Sequence, residues 1–238
     1  VEAHNNLGNI LKDMGRLDDA AISYRRALQL RSGFAEAHCN LGNTLRELGQ
    51  PVDAEASYRK ALQIRPNFIE ALNSLALLLN TQGDSATALN IVYHSLNLKE
   101  TPEAKNIFVA CAKHLHFTQD DSNIRAFMVR ALTEPWGRPS ELGQAGTGLV
   151  RLNADIGGCV TRAVGAWPKR LVAQELFGEN GLAALASDAL LIALLDAAPI
   201  CDIEMERFLT MARHALLEAA MMASGDDDDH TLSFYGAL

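Results

Sequence analysis

The residues best placed to do chemistry are amides. Asn6 and Asn9 return as Asn40 and Asn43, 34 residues on, and Asn5 returns as Asn73 after two such steps. Lys12 and Arg46 add a cation at matching offsets. A primary amide carries both a donor and an acceptor, so a row of them can grip the backbone of an extended peptide whatever its side chains. Asparagine is a poor helix former, and its repetition within helical sequence needs a reason. Two remain open: the amides bond neighbouring backbone and set the scaffold, or they hold a ligand.

Other reactive side chains are poorly spaced for catalysis or metal binding. In CAKHLH, Cys111 and His114 are three apart and share a helix face, but His116 lies about 140° round and no fourth ligand is evident. Asp226 to Asp229 with His230 lack the alternate spacing of a calcium loop and read as a solvated run. Glu204 and Glu206, two apart on a helix, face different directions. No GxSxG elbow and no glycine-rich loop after a strand is present. Trp136 and Arg138, between Pro135 and Pro139, form either a surface anchor or a domain-junction plug; the plug is favoured because a tryptophan buries much area. No catalytic residue, metal or cofactor is expected within these residues.

Composition narrows the partners. The formal net charge is −8, with ten basic and ten acidic residues through position 99 and eleven against nineteen beyond it. Nucleic acids and anionic membranes need clustered cations, so neither is expected. Cys39, Cys111, Cys159 and Cys201 show no paired spacing and read as reduced thiols of a cytoplasmic protein. Asp188 and Asp196 interrupt the apolar stretch 182–200, which is expected to be a buried helix and not a membrane span. Starting at Val1 inside a motif and stopping at Leu238 inside an apolar run, the chain reads as part of a longer one.

The elements that must position the amides follow from the period. A shift of 34 aligns Ala3/Ala37/Ala71, Leu7/Leu41/Leu75, Gly15/Gly49/Gly83, Ala20/Ala54/Ala88 and Leu28/Leu62/Leu96; Gly8/Gly42, Tyr24/Tyr58 and Ala27/Ala61 match in the first two copies. Each unit is expected to be two amphipathic helices, A and B, with Gly15 ending the first and Asp18 capping the second. Such hairpins bury their faces only by stacking into a solenoid. Sparse aromatics and few β-branched runs agree with an all-α chain.

These residues resemble the tetratricopeptide repeat, and AHCNLGN (37–43) is similar to the repeats of O-linked N-acetylglucosamine transferases. The resemblance implies that helix A lines a concave groove, with Asn5, Asn6, Asn9, Lys12, Asn40, Asn43, Arg46 and Asn73 among the residues facing a bound peptide. It also argues against capture of chaperone C-termini, because Asn5, Cys39, Asn73 and Ser74 stand where that clamp carries cations. Departures are His4, His38 and Leu72 for the early aromatic, and a single interrepeat proline, Pro66.

The repeats are read as 1–33, 34–67 and 68–99, with a degenerate capping hairpin at 100–133. EPWGRPSEL (134–142) forces a break, and a compact helical domain follows over 139–238, truncated at its end. Helices are expected near 139–152, 155–166, 180–186, 188–198 and 202–223, capped by Asp155, Asp188 and Asp202, with another starting at Phe234 and Tyr235. Residues 100–238 resemble the helical middle region of bacterial tetratricopeptide proteins that carry a class I S-adenosylmethionine-dependent methyltransferase domain downstream. Together these imply a non-catalytic interaction scaffold that binds a protein or peptide, as the substrate-recognition region of a methyltransferase. The alternatives are the recognition region of a glycosyltransferase, or homo-oligomeric assembly through exposed repeat ends.

Overall fold

The computed structural model describes residues 1–222. It is all-helical there, and two compact units divide at Cys111/Ala112. The first unit opens with three helical hairpins: α1 (Glu2–Asp13) with α2 (Leu17–Leu30), α3 (Ala35–Glu47) with α4 (Pro51–Ile64), and α5 (Ile69–Thr81) with α6 (Ser85–Leu98). Each hairpin packs on the next through its B helix, α2 against α3 and α4 against α5, and the A helices stand side by side. Ala20, Ala27, Ala54, Ala61 and Ala88 are fully buried, the small side chains that let helices approach closely.

All three hairpins turn identically. Gly15, Gly49 and Gly83 adopt φ of 75°, 73° and 92°, a region favouring glycine. In the first turn Gly15 N–H donates to Lys12 O and Arg16 N–H to Leu11 O, and the same pair of bonds recurs at Gly49/Gln50 and Gly83/Asp84. This is the Schellman closure. The residue after the glycine therefore ends one helix and caps the next: Arg16, Gln50 or Asp84. Asp18 is thus not a cap but lies in the first turn of α2, with Asp19 taking the Arg16 guanidinium. Of the three, only Asp84 caps with its side chain, accepting from Thr87 N–H.

Two helices fall in the 100–133 span. α7 (Pro102–Ala112) is capped by Thr101 and buries Ala104, Phe108 and Cys111; α8 (Ser122–Thr133) is capped by Asp121. Because α7 ends at Ala112, Cys111 and His114 do not share a helix, and His114 and His116 are exposed. No group of three potential ligands able to hold a metal occurs among the described residues.

The second unit turns at Pro139–Leu142, a 3-10 segment opened by Pro139, into α9 (Gly143–Leu152). Then come α10 (Ala154–Ala166), the short α11 (Ala173–Phe177), α12 (Gly181–Ser187), α13 (Ala189–Ala197) and α14 (Ile203–Met222). α13 packs on α8 and α9, and α10 on α12 and α14. The stretch 182–200 is not one buried helix but two, divided where the cap was expected: Asp188 ends α12 and caps α13 by accepting from Leu191 N–H. Its carboxylate also pairs with Arg125. Asp202 accepts from Met205 N–H as expected, but α10 is capped by Asn153, two residues before Asp155. Trp136 is 2% exposed, bonded through Nε1 to Glu134 and tilted against Phe127, so it is a core plug within this unit, while Arg138 is exposed. No described helix is long and apolar enough to cross a membrane. The aspartate run 226–229, His230, Phe234 and Tyr235 lie outside the described residues.

Stacking of the hairpins explains one departure from the repeat pattern. His38 of α3 is 9% exposed, and its Nε2 donates to Ser32 O at 2.9 Å. Burial, with Lys60 nearby, holds its pKa below the usual imidazole value of 6.5, against the Ser32 bond that raises it. The folded chain therefore takes up this proton less readily than the unfolded chain. Stability from this site is full above pH 6.5 and falls as acidification protonates the unfolded state. Leu72 occupies the same place one repeat later, also buried. In urea denaturation at pH 8 and pH 5, His38→Leu is expected to lose less stability on acidification than the wild type.

Candidate functional site

The amides sit above a close helix contact. Gly8 of α1 faces the ring of Tyr24, where an added Cβ would lie 2.5 Å from the nearest ring carbon; Gly42 faces Tyr58 at 2.6 Å. Both rings are fully buried, and only the missing side chain lets them pass. Each phenol reaches through to the A-helix face. Tyr24 Oη donates to Asn9 Oδ1 at 2.8 Å and Tyr58 Oη to Asn43 Oδ1 at 2.8 Å. Burial pushes both phenols up to about 12, so each stays protonated and a donor.

A second set of bonds runs between repeats in the same register. Asn40 Nδ2 donates to Asn5 Oδ1 at 3.1 Å and to Asn9 Oδ1 at 3.2 Å. One repeat later Ser74 Oγ donates to Asn43 Oδ1 at 3.2 Å. Asn9 and Asn43 thus each accept one bond from their own B helix and one from the next A helix. Their Nδ2 groups make no hydrogen bond among the described residues. Asn40 leaves its Oδ1 unused, and the exposed Asn6 makes no side-chain bond at all. Asn5 is 8% exposed, and its Oδ1 is taken by Asn40. Asn73 is spent too, accepting from Ser95 Oγ at 2.7 Å and donating to Thr101 Oγ1 at 3.4 Å. Lys12 pairs with Glu47 of the next repeat at 3.0 Å, and Arg46 is half-buried.

The far ends of the hairpins are tied by another recurring device. Arg31 pairs with Glu2 at 3.0 Å while its guanidinium lies 4.2 Å from the Phe34 ring centroid. Arg65 repeats this with Glu36 at 2.5 Å and with Phe68 at 4.8 Å. These exposed contacts contribute little individually, but the ion pair ties the B-helix end of a hairpin to the A-helix start of the same hairpin, and the ring contact reaches the start of the next repeat.

Family comparison reads the same period. The sequence profile described as "TPR repeat" matches residues 8–49, and two described as "Tetratricopeptide repeat" match 35–68 and 57–90. Residues 8–90 are thus similar to tetratricopeptide repeats. Among solved structures, the chain is similar to YrrB, described as "a TPR protein with an unusual peptide-binding site", at 17% identity and TM-score 0.46, covering 98% of this chain and 90% of that one. It is similar to a tetratricopeptide repeat protein from Parabacteroides merdae at 17% identity and TM-score 0.47, covering 98% and 82%. It is also similar to pilF of Pseudomonas aeruginosa at 18% identity and TM-score 0.42, covering 100% and 97%. No curated protein matches.

Sequence reasoning placed the amides but not their partners. Tyr24, Tyr58 and Ser74 complete the arrangement, and a signal for the tyrosines was available: Gly, Asn and Tyr recur together and vanish together. The third hairpin carries Ala76, Leu77 and Val92 in their places, with Ala76 and Val92 fully buried. The phenol that needs both a glycine gap and an amide acceptor is replaced by three aliphatic side chains that need neither. Gly42→Ala is expected to cost about 1–3 kcal/mol by overpacking against Tyr58. The combined Gly42→Ala, Asn43→Leu, Tyr58→Val variant, which transplants the third hairpin's solution, is expected to regain most of it, read as urea midpoints by circular dichroism.

Proposed function

We propose that the tetratricopeptide repeats form a protein-interaction scaffold in which an extended peptide segment lies along α1, α3 and α5. The observation that carries this reading is the half-used state of the amides. Asn9 and Asn43 spend their oxygens on the scaffold and keep their Nδ2 donors, Asn40 spends its nitrogen and keeps its acceptor, and Asn6 keeps both. Free donors and acceptors on adjoining helices suit the alternating C=O and N–H groups of an extended backbone, which water satisfies in their absence. Scaffold and ligand roles then belong to different atoms of one side chain. Asn5, Asn73 and Lys12 support the face from within.

The isosteric pair Asn9→Asp with Asn43→Asp separates the two roles, because each aspartate keeps the oxygen for tyrosine and loses the free donor. Peptides selected from a random display library on the wild-type protein are expected to bind this variant about tenfold or more weakly by fluorescence anisotropy. Its urea midpoint should stay close to that of the wild type. Unchanged affinity, or failure of the wild type to select any peptide, overturns the reading.

The finer role, recognition of substrates for a methyltransferase on the same polypeptide, is supported only by the sequence phrases within residues 100–238. Transfer of labelled methyl groups from S-adenosylmethionine to a bound peptide by the full-length gene product tests it.

A further inference from the structure

The repeat register exposes one broken ion pair. Lys12 near the end of α1 bonds Glu47 near the end of α3 at 3.0 Å. Advancing both positions by one period gives Arg46 on α3 and Thr81 on α5. The cation has been kept and its acid lost. Thr81 offers no substitute, because its hydroxyl donates back to Leu78 O at 2.6 Å within its own helix. Glu47, beside Arg46 in sequence, is drawn the other way to Lys12. Arg46 therefore has no ion pair or hydrogen bond among the described residues, although it is half-buried.

Its surroundings tie it to the amides. Arg46 follows Asn43 by three residues on α3, which puts the two on one helix face. Its charge is felt at the Tyr58 hydroxyl, the group bonded to Asn43, where it acts to lower a pKa that burial raises. A half-buried guanidinium presents a fork of donors that a carboxylate fills with two parallel bonds, and leaving that fork unfilled forgoes the strongest polar contact available on this face.

We propose that Arg46 is the specificity determinant of the peptide-binding face and selects an extended segment that carries an aspartate or glutamate side chain at the position opposite it. The proposal rests on the peptide-binding reading above. The carboxylate is a side chain's and not a chain terminus's: a terminus is held by converging cations, and Asn5, Cys39, Asn73 and Ser74 supply none, while the amides hold backbone running onward. One arginine matches one acidic side chain.

Thr81→Glu tests this, since it restores within the protein the ion pair that Lys12 and Glu47 make one repeat earlier. Thr81 is exposed, so the substitution leaves packing intact. Randomised dodecapeptides displayed as amino-terminal fusions, which offer no free C-terminus, are panned on the wild type, Thr81→Glu and Arg46→Ala. The wild type is expected to enrich sequences with an acidic residue at one fixed place. Both variants should still enrich peptides but lose that preference. Glu→Gln in a selected synthetic peptide should weaken wild-type binding about tenfold and leave Thr81→Glu binding unchanged. Enrichment by the wild type without an acidic position overturns the proposal while the peptide-binding reading stands. Loss of all peptides by the wild type overturns both. Retention of the acidic preference by Arg46→Ala assigns it elsewhere and overturns the role of Arg46.

Discussion

The approach of Tyr24 and Tyr58 over Gly8 and Gly42 is the constraint on which the first unit depends. A buried phenol is acceptable only where its hydroxyl finds a partner, since an unpaired hydroxyl in an apolar layer costs about 1–3 kcal/mol. The glycine opens the path for the ring, and the asparagine one residue further along the A helix accepts from the oxygen. Once that oxygen is committed, the amide plane is fixed. The next A helix then donates to the same atom, through Asn40 or Ser74. Intrahairpin packing, hairpin spacing and the chemistry of the exposed face thus follow from one contact.

Much of this was legible in the sequence because a repeat prints its spacing three times. The three left-handed glycines and the small residues of the B helices all serve local needs that a period makes visible. The asparagines were visible as a row but ambiguous as chemistry, since a single amide has two ends and sequence does not say which is occupied. Pairing across hairpins supplied that answer: Asn5 with Asn40, and Asn73 with Ser95 and Thr101. These contacts depend on how far one helix is displaced against the next.

The second unit was less legible for a different reason. Without a period, helix ends rest on caps alone, and several polar residues compete for each cap. Asn153 wins over Asp155 because its side chain reaches two backbone N–H groups at the point where the chain turns after α9. Asp188 opens α13 as the expected cap, but its second task, meeting Arg125 of α8, joins residues 63 apart and leaves no local mark in the sequence. The five-residue α11 carries too little pattern to announce itself.

The shared residue in each hairpin turn limits how such a protein can change length. Arg16, Gln50 and Asp84 each close one helix and open the next, so no loop residue is left over between A and B. An insertion there would have to unmake a helix end to be accommodated, whereas a substitution needs only to respect the glycine. Copies of such a hairpin can therefore differ at nearly every side chain, as Leu77 and Val92 at the places of Asn43 and Tyr58 illustrate, while the count of residues stays at 34. Past Lys99, where the chain leaves these turns behind, the count is released and the period slips.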